Sequence, residues 1–264
     1  TLIGTLQTAY TNFHYLRDVW RRTTEKDALL GVGMTGIGSG RIQQFDLEAT
    51  SRLAVETNKY YATEIGVNQA ARITTVKPSG TTSCVLGTSS GVHAWHNDYY
   101  IRRVRVGKNE AIYTYLTIHH PELVEDDFFK PETQAVISIP QRAPNDGILR
   151  HETSLELLER VKDIYNRWIV PGHREGNNTH NVSCTVSVRD EEWEEVGKWM
   201  WQNREYYNGI AVLPYFGGNY KQAPFEDIDE KTFEGMFIKL KEVDLSNVVE
   251  IVDNTNLTGE LACA

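Results

Sequence analysis

The run Lys77-Pro78-Ser79-Gly80-Thr81-Thr82-Ser83 has the residue types and the order to hold an anion. A β-branched stretch, Ile73-Thr74-Thr75-Val76, stops just before Pro78; a glycine follows, then three consecutive hydroxyl residues. This order predicts a strand that ends, a sharp turn, and a helix or turn opening with unpaired backbone N–H groups. Such groups, with the positive end of a helix dipole, favour phosphate. Gly80 lets the backbone come close to a ligand. Thr81, Thr82 and Ser83 add hydroxyl donors. The same residues also fit an ordinary strand-to-turn connection with a hydroxyl N-cap, and local chemistry leaves both readings open.

Other candidates carry less. Gly31-Val32-Gly33-Met34-Thr35-Gly36 spells GxGxxG, and Glu56 lies 20 residues after Gly36. A dinucleotide site needs a strand directly before this motif and a helix directly after it. Here a charged, helix-like segment precedes and Gly38 and Gly40 follow, so close backbone packing is the expected role. His93, His96, His119 and His120 have no HExxH or cysteine pair beside them, and are expected to be satisfied loop histidines with no metal. GxSxG is absent. Tyr206-Tyr207 could relay a radical, but packing is the default for adjacent tyrosines. Cys84 and Cys184 sit among apolar residues and read as buried structural thiols. Cys263 differs: it lies in the polar tail Thr258-Gly259-Glu260-Leu261-Ala262-Cys263-Ala264, where a thiol is either incidental or an exchange partner.

The elements that must position these groups follow from hydrophobic period. Helices are expected over 4–20, 46–65, 108–119, 153–169, 190–206 and around 230–242, with a capped charged turn at 23–27. Strands are expected at Ile73–Val76, 99–106, 135–140, 182–188 and 210–214. Strands alternating with helices predict an α/β layer or barrel. The chain has 264 residues, 40% of them hydrophobic and 10% aromatic, enough for a substantial core. No run reaches the roughly 20 apolar residues of a membrane span. The net charge of −9 argues against a nucleic-acid partner, although Arg102, Arg103, Arg105 and Lys108 form a local basic cluster. The three cysteines are far apart with no CxxC spacing, which points to a reducing, cytoplasmic setting. A first residue Thr1, with no secretory signal, is expected of a fragment or processed chain.

Taken together, the motifs resemble adenosylcobalamin-dependent (class II) ribonucleotide reductase, most closely the ribonucleoside-triphosphate reductase branch. The resemblance runs from Lys77–Ser83 through Leu86-Gly87-Thr88-Ser89-Ser90-Gly91-Val92-His93 and Tyr99-Tyr100-Ile101-Arg102-Arg103-Val104-Arg105. It continues in Asn181-Val182-Ser183-Cys184-Thr185-Val186, Leu213-Pro214-Tyr215 and the tail at Gly259–Ala264. It implies an α/β fold, with residues 1–253 as the second half of a ten-stranded α/β barrel and 254–264 as the start of a flexible redox-active tail. It implies that Pro78, Ser79, Gly80, Thr81, Thr82 and Ser83 hold the substrate's phosphates. It implies that Cys263 is the first cysteine of a C-x4-C redox pair. In the family a cofactor-generated thiyl radical takes the ribose 3′-hydrogen, water leaves from C2′, and a dithiol supplies electrons. The radical cysteine, in an Asn-x-Cys-x-Glu setting, has no counterpart here, nor do the two reducing barrel cysteines.

The implied cofactor is adenosylcobalamin. The implied partners are a ribonucleotide, the missing N-terminal half and a thioredoxin-type reductant, with neither nucleic acid nor membrane. Two alternatives stay open: a class I large-subunit fragment, or a nucleotide-phosphate-binding fragment that turns nothing over.

Overall fold

The computed structural model describes residues 1–215 and 220–249. Their regular elements are α1 (Leu2–Gln7), α2 (Asp18–Asp27), α3 (Leu47–Ile65), α4 (Thr81–Val85), β1 (Tyr99–Gly107), α5 (Ala111–His119), β2 (Val124–Asp126), β3 (Gln134–Arg142), α6 (Ser154–Ile164), β4 (Thr185–Val188), α7 (Trp193–Gln202), β5 (Ala211–Pro214), β6 (Phe225–Asp227) and α8 (Glu230–Phe237). They divide into two compact units, Thr1–Trp95 with Asp146–Tyr215, and His96–Asn145 with the residues after Tyr215.

The first unit is the expected α/β arrangement. Most of its extended pairings are parallel: Val32 bridges Thr74, Val76 bridges Val182, and β4 pairs with β5 from Thr185↔Ala211 to Val188↔Pro214, while Arg72 bridges His173 antiparallel. The Ile73–Val76 stretch makes single bridges on its two sides and no longer ladder. Helices intervene along the chain, and each has a local reason to form. Asp46 caps α3 by accepting from the Ala49 amide at 3.0 Å, and Gly66 ends it in the left-handed region at φ 75°. Thr153 and Glu156 form a capping box at the start of α6. Leu158, Val161 and Ile164 of α6 are fully buried with Val76, Val92, Val182, Val186 and Val188, and this apolar cluster is the unit's main core.

Two polar groups buried within this unit are matched in detail. Past α6 the chain widens into a π turn over Tyr165–Ile169, which leaves carbonyls to be satisfied from outside the helix. Trp168 O accepts from Ser51 Oγ of α3 at 2.8 Å and from Thr74 Oγ1 at 2.5 Å. Asn58, buried on α3, donates to Thr5 Oγ1 and accepts from the Ala70 amide.

The second unit departs from strand–helix alternation. It is an antiparallel sheet in the order β2-β3-β1-β6. β1 pairs with β3 along its whole length, from Tyr99↔Arg142 to Gly107↔Gln134. The basic cluster lies on β1 and just beyond it, and acids neutralise it. Arg103 pairs with Glu125 and Glu226, Arg105 with Asp127, and Lys108 with Asp126. Arg102 lies over the Phe225 ring at 4.5 Å. Asp127 is buried and also accepts from the amides of Phe129 and Lys130. Burial raises its carboxyl, but those amides and Arg105 outweigh burial and hold its pKa below the ordinary value.

At the N-terminus the expected helix over 4–20 is split. α1 stops at Gln7, and Thr23–Asp27, expected as a turn, forms the second half of α2. Ion pairs Arg21–Asp18, Arg21–Glu25 and Arg22–Asp18 at helical spacing extend α2. Its stop is Ala28 at φ 43°, a residue type that gives no sequence signal for a left-handed cap. No helix among the described residues is long and apolar enough to cross a membrane.

Candidate functional site

The hydroxyl-rich run forms a tight turn into α4, all within the first unit. Gly80 has φ 49° and ψ −123°, and the Thr82 amide donates to Ser79 O at 3.0 Å. These are the marks of a type II′ turn, whose first central position belongs to glycine. Pro78, Gly80 and Thr82 are exposed, Ser79 is half-buried and Ser83 is buried. Ser83 Oγ donates to Gly80 O at 2.6 Å and so ties the turn internally. Thr81 opens α4. Cys263 lies outside the described residues.

The stems of the turn are fastened from three directions. The Ser79 amide donates to Ser90 Oγ at 2.9 Å, joining the entry to the exit. Thr35 Oγ1 lies 2.6 Å from Ser79 Oγ, donates to Ser89 O and accepts from the Gly91 amide. His93 Nε2 accepts from the Thr185 amide at the start of β4, at 3.1 Å, so Nδ1 carries the proton that meets Ser90 O at 3.1 Å. Behind this loop, Arg160 of α6 donates Nε to Val92 O and grips Glu152 with both terminal nitrogens at 2.6 and 2.7 Å.

Burial lowers the His93 pKa; the Nδ1 bond to Ser90 O pushes the other way, and the Arg160 charge adds to the lowering. A histidine with a folded pKa below its unfolded value, about 6.5, contributes stability that is full above about pH 6.5. That contribution is lost as pH falls through the lower folded value, because a protonated Nε2 cannot accept from Thr185. Unfolding titrations at stepped pH should therefore show the wild-type chain weakening on acidification below about 6.5. His93→Gln should show a flatter profile there; an identical slope in the two proteins would remove His93 from this role.

The glycine-rich segment is close packing, and its partner is this turn. A side chain at Gly36 would run into Thr88 Oγ1, and one at Gly38 into His93 O. Gly31 and Gly33 lie against Thr75. Thr35, the one polar residue of that motif, reaches the turn from 44 positions away, a contact that local spacing does not signal.

The cysteine expectations divide. Cys184 is buried, and burial pushes its thiol up to about 12 despite the nearby Arg160 charge, so it is an unreactive core group. Cys84, expected to be buried, is exposed. Its apolar neighbours Val85 and Leu86 are exposed too, at 85% and 62%, because five-residue α4 lies on the surface. Tyr206 and Tyr207 are packing residues: Tyr206 meets Tyr165 edge-on, and Tyr207 stacks on Trp199 and donates to Met200 O. In the second unit, His96 stacks on Phe225 and lies 3.0 Å from Asp227. Among the described residues no group of three or more His, Cys, Asp or Glu could hold a metal ion.

No family profile matches the chain. It is similar to the adenosylcobalamin-dependent ribonucleoside-triphosphate reductase of Lactobacillus acidophilus, 26% identical over 254 residues that cover 84% of this chain and 33% of the relative. It is similar to the enzyme of the same name from Lactobacillus leichmannii, 28% identical over 210 residues, 78% of this chain and 26% of the relative. The Lacticaseibacillus paracasei enzyme is 25% identical over 272 residues, 89% of this chain and 35% of the relative. A crystal structure of a B12-dependent (class II) ribonucleotide reductase superposes with a TM-score of 0.74 at 21% identity, over 99% of this chain and 40% of that one. The fold is thus that of a region of the class II reductase. The chain spans between a quarter and about a third of the length of these curated relatives.

Proposed function

We propose that this chain is the C-terminal part of an adenosylcobalamin-dependent ribonucleotide reductase that acts on ribonucleoside triphosphates. The observation that carries the reading is the agreement of two likenesses. Relatives of one named activity cover most of the chain, and a class II reductase shares its fold almost from end to end. On this reading residues 1–253 form half of a ten-stranded barrel, and 254–264 begin a tail in which Cys263 exchanges with the active-site disulfide.

The work of the described residues is binding. The turn at Pro78–Ser83 holds the substrate's phosphates through its exposed backbone and the Thr82 hydroxyl. Its rigid stems fix where the ribose must lie. Binding energy spent at the phosphates, remote from the reacting carbon, orients the sugar for hydrogen abstraction. The thiyl-radical cysteine comes from the portion of the reductase that this chain does not span.

Adenosylcobalamin supplies the radical when bound, but the described residues do not fit a corrin. One cavity, about 540 Å³ and lined by Glu125, Phe128, Tyr220 and Gln222 among others, is an open groove whose Glu125 and Glu226 are already paired with Arg103. No step is assigned to the cofactor within this chain.

The reading is tested by assaying CTP reduction with adenosylcobalamin and dithiothreitol, with this chain alone and joined to the upstream part of its reductase. Reduction is expected only from the joined protein and only with the cofactor. Reduction without cobalamin would refute the assignment.

A further inference from the structure

Taking the turn as the phosphate anchor, and resting on that reading, we infer that Thr35 is the anchor's positioning residue and that the Ser79 hydroxyl serves the turn rather than the ligand. Thr35 Oγ1 touches three groups: the Gly91 amide at 2.9 Å, Ser89 O at 3.0 Å and Ser79 Oγ at 2.6 Å. An amide only donates and a carbonyl only accepts. The single Thr35 proton therefore goes to Ser89 O, and the Ser79 hydroxyl must donate to Thr35. With that proton committed, Ser79 Oγ offers only lone pairs outward, and a phosphate oxygen gains nothing from it. The Ser79 amide is committed too, to Ser90 Oγ. Ligand donors in the turn thus begin at Gly80.

Thr35 grips both stems at once, Ser79 on the way in and Ser89 and Gly91 on the way out. Its neighbour reinforces the grip, since the Gly36 amide donates to the same Ser89 carbonyl at 2.9 Å. A β-branched residue has few χ1 choices, so the hydroxyl is held in place by its own backbone. Thr35→Val keeps the shape and removes all three bonds. It leaves the Gly91 amide without its acceptor, and releases the Ser79 hydroxyl.

The test is titration of the 264-residue chain with CTP and with cytidine. Thr35→Val should weaken CTP by about tenfold, the scale of one or two lost hydrogen bonds, and leave cytidine unchanged. Thr35→Ser keeps the hydroxyl and should stay within about twofold of wild type. Because the Ser79 hydroxyl acts through Thr35, Thr35→Val with Ser79→Ala should be no weaker than Thr35→Val alone. Multiplying losses would mean that Ser79 contacts phosphate directly, and would overturn the assignment. Wild-type affinity in Thr35→Val would also overturn it. If Thr35→Val does not fold, Thr35→Ser decides: a tenfold loss there would assign the effect to the methyl group. A wild-type chain that binds CTP no better than cytidine would refute the anchor itself, whereas preference for CTP with an indifferent Thr35→Val would refute only the role of Thr35.

Discussion

Gly80→Val should weaken CTP binding by roughly thirtyfold while the rest of the first unit stays folded. The expectation comes from backbone geometry. At φ 49° and ψ −123° Gly80 occupies a region that L residues avoid. Placing an L residue at positive φ costs about 1–2 kcal/mol, and a β-branched one more. The turn escapes that strain by rotating the Gly80 peptides, which breaks the Thr82-to-Ser79 bond and moves the amides that face the ligand. A loss of about 2 kcal/mol corresponds to roughly thirtyfold in affinity. Gly80→Ala carries the strain with less bulk and should fall between. Because the glycine is exposed, the global unfolding midpoint should move little. Titration with CTP beside a urea melt checks both halves; full affinity in Gly80→Val would place the phosphates elsewhere.

The largest stability effect is expected at Arg160. Its guanidinium makes two bonds to Glu152 and one to Val92 O, and the side chains of the pair are 9% and 12% exposed. Bidentate Arg–carboxylate geometry of this kind is strong and directional. Arg160→Met should lower stability by about 3–5 kcal/mol, the range for breaking a buried pair by removing one partner. The damage is the stranded Glu152 carboxylate, together with a freed Val92 carbonyl next to Gly91 and His93. Arg160→Met with Glu152→Leu should recover much of the loss, because neither charge is then left buried. Urea unfolding of the single and double variants measures this. A double variant as unstable as the single would mean that packing, and not the ion pair, dominates.

Much of the fold could be read from local pattern. α3 follows its period and its Asp46 and Gly66 signals; α6 follows Thr153, Glu156 and its apolar stripe. The strands at 99–107 and 134–142 were legible as extended, but their antiparallel pairing was not, since partners such as Tyr99 and Arg142 are far apart in sequence. The turn at Ser79–Thr82 was legible because proline, glycine and hydroxyl residues each restrict the backbone in a known way. Its supports were not. Thr35, His93 and Arg160 reach it from separate segments, and each carries an ordinary local signature. Cys84 shows the opposite error, in which apolar neighbours suggested burial for a residue that a five-residue surface helix leaves exposed.

The most direct test is to follow the backbone amides of the isotope-labelled chain by NMR while CTP, inorganic triphosphate and cytidine are added in turn. If the turn holds nucleotide phosphates, the amides of Gly80 and the residues just after it shift with CTP and with triphosphate, saturate together, and stay still with cytidine. Shifts that leave Gly80 unmoved and gather at another part of the chain would contradict the account.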